Sequence, residues 1–182
     1  KIATTYVELY EIAEGGLEAL PASAREVIAA LGNITIITSD AILERTEFEN
    51  NDSLRSPAYI YNLLEKLGDK KCALCNCEIP QIIQGAHIWP VASIKKATDM
   101  SPEQKLASAI DADNGIWLCN NHHKLFDINW ILINKQGQIK VKPGVREVDE
   151  NYLAAITLIN QIGQDILTPQ FLEYLERRNN FG

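Results

Sequence analysis

All four cysteines and all three histidines of this 182-residue chain fall between residues 72 and 123. The spacing inside that window is paired: Cys72-Ala73-Leu74-Cys75 stands near its start and Cys119-Asn120-Asn121-His122 near its end. Two short ligand pairs on two separate turns close a tetrahedral zinc site. Four protein ligands leave no open coordination position, so a Zn²⁺ on Cys72, Cys75, Cys119 and His122 is expected to be structural. It would tie the start of the window to the end of a strand. Cys77 is the spare thiol; it can replace Cys75, but the two-residue gap from Cys72 is the commoner geometry. The competing readings are a buried thiol pair beside a solvated histidine, and two disulfides. The clustered Cys-x-x-Cys spacing fits a metal site in a reducing compartment better, which points to the cytoplasm.

The net charge of −7 argues against a nucleic-acid partner, but its distribution does not. Residues 70–146 hold ten Lys or Arg against six Asp or Glu, and the acidic excess lies in the flanks. Phosphate contacts are therefore expected from the middle of the chain. No apolar run approaches the roughly 20 residues of a membrane span, and no secretory signal is visible.

Around the window the chain reads as helical. Tyr6, Leu9, Tyr10 and Ala13 give one apolar face, and a second helix is expected from Ser23 to Leu31. Ile34 to Thr38 has strand-like composition, and Asp40 is placed to cap a helix through about Phe48. Ser56-Pro57 opens a helix stopped by Gly68, with Tyr59, Leu63, Leu64 and Leu67 as its buried stripe. A strand is expected over Gln81 to His87 and another over Ile116 to Cys119. Between them Ser101 and Gln104 form a capping-box pattern. Asn120 or Asn121 is expected to cap a short helix carrying His122, His123 and Asp127. Lys135-Gln136-Gly137-Gln138 reads as a hairpin turn. Asp149 is expected to cap a helix through about Ile162, and Thr168-Pro169 to start a last one ending in Arg177-Arg178.

Successive helix residues point about 100° apart, so His122 and His123 cannot readily share one ion. If His122 faces the zinc, His123 faces elsewhere, and Asp127 lies one turn further along the same face. That carboxylate can share a hard cation with the imidazole or orient it. The bland alternative is an i,i+4 polar pair on a solvated face. Trp89 and Trp117 read as core residues rather than base-stacking groups.

Three motifs taken together carry a family resemblance: Gly-Ala-His87-Ile-Trp-Pro, Asp-Asn114-Gly-Ile-Trp-Leu-Cys, and His-His123-Lys-Leu-Phe-Asp127. They resemble the HNH, or ββα-metal, nucleases, in the branch common among bacterial restriction endonucleases. The resemblance covers about residues 70–142. It implies an α+β fold with a small ββα-metal nuclease core over residues 70–148. A helical region over 1–69 (recognition, dimerisation or packing) and C-terminal helices over 149–182 would flank it. It implies an endodeoxyribonuclease acting on double-stranded DNA and generally leaving 5′-phosphate ends. His87 is then expected as the general base, and Asn114 as the residue holding the His87 loop or else ligating metal. His123 is expected as a ligand of a catalytic Mg²⁺ or Mn²⁺, with Asn114 and Asp127 as the favoured further ligands. Lys95, Lys96, Lys124, Lys140 and Lys142 are candidate phosphate contacts, each equally readable as a solvated lysine. Many members carry an Asp directly before the base, where this chain has Ala86. The alternatives are an inactive zinc-stabilised DNA-binding module, a homing or phage nicking endonuclease, and a metal-free interaction domain with incidental Cys and His. A homodimer is expected if both strands are cut.

Overall fold

The computed structural model describes Phe48 and residues 56–179. Apart from Phe48, which is helical, the elements expected before Ser56 lie outside the described residues. All described residues belong to one contact-defined unit, Thr38–Gly182.

Helix α1, Pro57–Leu67, forms as its boundary residues dictate. The Ser56 hydroxyl accepts the Ala58 N–H, proline occupies the first turn, and Gly68 at φ +70° ends it. Its stripe turns Tyr59 and Leu63 fully inward. They meet an antiparallel pair, β1 (Ile83–His87) and β2 (Gly115–Cys119), in the register Gly85 opposite Trp117 and His87 opposite Gly115. Period-two alternation puts Gly85, His87, Gly115 and Trp117 on one face and Gln84, Ala86, Ile116 and Leu118 on the other.

The two glycines of the first face leave room for α1. A Cβ on Gly115 would collide with the Tyr59 hydroxyl and lie 2.8 Å from Leu63 Cδ2, and one on Gly85 would lie 2.9 Å from Tyr59 Cε1. Gly115→Ala is therefore expected to destabilise the protein by about 1–3 kcal/mol, as overpacking of a filled core does. Thermal melting checks it, and a variant as stable as wild type would show that α1 can shift freely.

Between the strands run α2 (Val91–Lys96) and α3 (Pro102–Ile110). Both bonds of the expected capping box are present: Ser101 Oγ accepts Gln104 N–H at 3.2 Å, and Gln104 Oε1 accepts Ser101 N–H at 2.8 Å. Helix α2 is a six-residue turn that follows Pro90. Helix α4, Asn120–Asp127, continues directly from β2 and completes the expected ββα core. Neither asparagine caps it. Cys119 occupies the N-cap with no side-chain bond, and Asn120 Oδ1 instead accepts the Gln84 side chain at 3.1 Å. Trp89 and Trp117 are both buried, as expected.

A second antiparallel pair follows, β3 (Ile131–Ile133) with β4 (Ile139–Val141), around a turn at Gly137. Helix α5 spans Glu147–Ile156, so the expected stretch from Asp149 to Ile162 is corrected at both ends. Asp149 sits in the first turn and pairs with Arg146 rather than capping. The chain leaves the helix at Thr157 because other partners claim its backbone. Leu158 and Ile159 N–H groups donate to Leu74 O, Ile139 N–H donates to Asn160 O, and Ile162 N–H to Gly137 O. Helix α6, Pro169–Asn179, buries Phe171, Tyr174, Leu175 and Arg178. Among the described residues, no helix is long and apolar enough to cross a membrane.

Candidate active site and metal centre

The four expected soft ligands converge. The donor atoms of Cys72, Cys75, Cys119 and His122 all lie within 4.8 Å of one another. His122 Nδ1 stands 3.4 Å from Cys72 Sγ and 3.2 Å from Cys119 Sγ, and Cys75 Sγ stands 3.9 Å from Cys119 Sγ. Tetrahedral zinc, with bonds of about 2.3 Å to sulfur and about 2.0 Å to nitrogen, spaces its donors roughly 3.5 to 3.8 Å apart. The three-sulfur, one-nitrogen cluster is thus compatible with zinc.

Local backbone bonds build the cluster. Cys72 N–H donates to Cys77 O at 2.9 Å, closing the first ligand turn, and Ala73 N–H donates to Trp117 O at 2.8 Å, docking that turn on β2. Cys77 is left outside the four-ligand group. Burial pushes the Cys75 thiol up to about 12; its bond to the Cys77 backbone opposes this, and the Cys72 and Cys119 thiols add to it. Thiols crowded in this way resist ionising alone, and a bound divalent ion reverses the preference. His122 Nε2 lies 3.3 Å from Thr157 Oγ1. With Nδ1 turned to the sulfurs, Nε2 carries the proton and donates to that hydroxyl, which orients the ring.

His87 sits half-buried at the end of β1, stacked on Tyr59 with ring centroids 4.0 Å apart and planes at 11°. Its Nε2 lies 2.9 Å from the Ala109 carbonyl oxygen. A carbonyl only accepts, so Nε2 holds the proton and Nδ1 holds the lone pair. Burial pulls the imidazole down to about 4; the Ala109 bond opposes this, and charge on His123 adds to the lowering. The ring is therefore neutral at pH 7 and able to accept a proton at Nδ1.

Asn114 is fully buried and its amide is occupied by backbone. Oδ1 accepts Trp89 N–H at 2.7 Å, and Nδ2 donates to Trp89 O at 3.1 Å and Ser108 O at 2.9 Å. Its own carbonyl accepts Ile88 N–H at 2.9 Å. These bonds fasten the two residues after His87 to the start of β2. Asp113, a further acceptor nearby, is engaged by Lys66 and Thr168.

His123 reaches β1 at Gln84. Gln84 turns its Nε2 toward Asn120, so its Oε1 lies 3.2 Å from His123 Nδ1 and accepts that proton. The lone pair is then on Nε2, 3.7 Å from Asp127 Oδ2. Two acceptors facing each other at that spacing offer a divalent cation a nitrogen and an oxygen ligand. Ala86 is fully buried in β1, on the same face as Gln84. Lys96, Lys124, Lys140 and Lys142 are exposed, whereas Lys95 lies with its ammonium 5.4 Å from the Phe48 ring centroid.

Three residues that shape the site escape motif reading. Gln84 had a signal, since it lies two residues before Ala86 and so on the same strand face. Tyr59 and Thr157 had none, because each arrives from an element remote in sequence.

Residues 72–134 match the family model described as HNH endonuclease, a segment that takes in His87, Asn114, His123, Asp127 and all four zinc-compatible ligands. No curated protein matches the chain.

Proposed function

We propose, from the match of residues 72–134 to the HNH endonuclease family model, that the chain is a metal-dependent DNA endonuclease, the nuclease of a restriction enzyme. The observation that carries the proposal is the His123–Asp127 acceptor pair, whose tautomer Gln84 fixes, alongside a neutral His87. Zn²⁺ on Cys72, Cys75, Cys119 and His122 is structural in this reading, since the four donors fill its coordination. The clustered Cys-x-x-Cys spacing, which suits a metal site better than disulfides, supports a reducing compartment, the cytoplasm.

In the reaction, His87 Nδ1 accepts the proton of the water that attacks phosphorus. Ala109 holds the far side of the ring, and the Tyr59 stack limits its rotation. Asn114 is a positioning residue, fixing the backbone that follows His87. His123 and Asp127 would hold Mg²⁺ or Mn²⁺, which when bound would supply positive charge for the phosphate and the leaving 3′ oxygen. Departure of the 3′ oxygen leaves a 5′-phosphate end. Lys124, one residue from His123, and Lys96, Lys140 and Lys142 are the exposed cations available to the DNA backbone. Cutting both strands of a duplex calls for two such sites, and hence for a homodimer.

Asp127→Ala is expected to raise the Mg²⁺ concentration for half-maximal cleavage by at least about 10-fold, since even outer partners of metal ligands are worth that much. A Mg²⁺ titration of plasmid cleavage reads it, and an unchanged midpoint would remove Asp127 from the cation site. The second reading is a zinc-stabilised DNA-binding module without catalysis. It is favoured by one observation: an apolar Ala86, fully buried, stands where many HNH nucleases carry a carboxylate.

A further inference from the structure

Arg178, in the last turn of α6 and outside the family segment, is buried with its guanidinium 3.8 Å from the Phe126 ring centroid. Nη1 donates to Ile88 O at 3.0 Å, while Nη2 donates to Phe126 O and, at 2.8 Å, to Asn129 Oδ1. Ile88 directly follows His87, and Phe126 directly precedes Asp127. One planar cation therefore bridges the segment bearing the base to the end of the helix bearing the cation ligands.

The bridge completes what Asn114 begins. Of the four backbone polar groups of Ile88 and Trp89, Asn114 binds three: the Ile88 N–H, the Trp89 N–H and the Trp89 carbonyl. Arg178 binds the fourth, the Ile88 carbonyl. Asn114 ties this segment to β2, and Arg178 ties it to α4. Asn129 takes the left-handed conformation at φ +57° just past α4, which suits an asparagine, and offers its side-chain oxygen to the same guanidinium. Burial lowers Arg178 to about 10 against an opposing pull from Asp127, so it stays charged at neutral pH. A buried charge is a costly way to fill space that an apolar side chain would fill as well. A planar fork that reaches several acceptors at once is what arginine offers and lysine lacks.

Resting on the nuclease function proposed above, we propose that Arg178 is a positioning residue that sets the spacing between the His87 base and the His123–Asp127 cation site. The test uses the whole chain and compares wild type with Arg178→Lys, which keeps the charge but cannot bridge the same acceptors. Asn129→Gly is the second variant; it keeps the left-handed turn and removes one bond of the bridge without altering the buried cation. Two readouts are taken: kcat and KM for plasmid cleavage, and Mn²⁺-induced broadening of the histidine ring signals in NMR. The three histidines make those signals assignable.

For Arg178→Lys the expected kcat loss is on the order of 10- to 100-fold, the scale of a displacement of about 1 Å at a reacting centre. KM should stay within about twofold, because DNA binding is left alone. Broadening of His87 by Mn²⁺ should change while that of His123 persists, and Asn129→Gly should move both readouts in the same direction by less. Unchanged kcat and unchanged His87 broadening in both variants would overturn the proposal and leave Arg178 a packing residue. If Arg178→Lys does not fold, Asn129→Gly alone decides. Failure of the nuclease function would show in the wild type, as absent cleavage and absent His123 broadening, and the proposal would fall with it.

Discussion

His87→Ala and His87→Gln are both expected to lower DNA cleavage by about 10²- to 10⁴-fold, the usual contribution of a positioned general base. Glutamine is the sharper variant. Its amide can still donate to the Ala109 carbonyl, which His87 Nε2 approaches at 2.9 Å, but it has no basic lone pair to accept the proton of water. DNA affinity and the metal content of the Cys3His cluster should be retained. A glutamine variant that cuts as fast as wild type would remove His87 from the chemistry. The depressed pKa adds a second expectation. Because burial brings the ring down from 6.5 to about 4, His87 is already neutral in mildly acid solution. The rate should therefore show no acid limb attributable to His87 between about pH 5.5 and about pH 7.5, whereas an ordinary imidazole would titrate inside that range. A limb centred at 6.5 in wild type and absent from His87→Gln would contradict the burial seen here. The same shift makes the folded state lose stability as pH falls from 6.5 towards 4. In that window the unfolded chain binds a proton that the native ring resists, and above it the contribution is fully present.

Removing metal with a strong chelator is expected to unfold the core around residues 72–134. Structural zinc sites bind with apparent free energies of about 10–16 kcal/mol, and that energy is folding energy. Whole domains are stable by only about 5–15 kcal/mol. The ligands here also tie together elements remote in sequence. Cys72 and Cys75 lie on a turn before β1, Cys119 and His122 open α4, and Thr157 beyond α5 braces the imidazole. Cys119→Ser should reproduce the effect of the chelator. Loss of the near-UV circular dichroism signal and a lower melting temperature are the readouts. Chelated protein that keeps both would show that the thiols pack without need of an ion.

Local signals in the sequence carried much of the fold. Ser56, Pro57 and Gly68 bound α1 because capping and left-handed termination are decided within a few residues. The Ser101–Gln104 box and the Cys-x-x-Cys and Cys-x-x-His pairs were legible for the same reason. What was not legible depended on partners from elsewhere. The apolar pattern through Ile162 continues a helix on paper, yet Leu158 and Ile159 give their N–H groups to Leu74, and Asn160 and Ile162 bind the β3–β4 hairpin. Asn120 is a good N-cap residue by type, but Gln84 claims its side chain. The site divides in the same way. His87, Asn114 and His123 stand in motifs that can be read in order, and so do the four soft ligands. Tyr59 behind the base and Arg178 between base and cation site lie outside the family segment, and only the folded chain brings them in.

The most direct test of the proposed activity is supercoiled plasmid, methylated and unmethylated, incubated with the whole protein in Mg²⁺, in Mn²⁺ and in EDTA. Cleavage to discrete bands with either cation, and none in EDTA, is the expected result. Intact plasmid under every condition would contradict it, leaving a zinc-stabilised DNA-binding module with Ala86 as the point of departure from an active HNH centre.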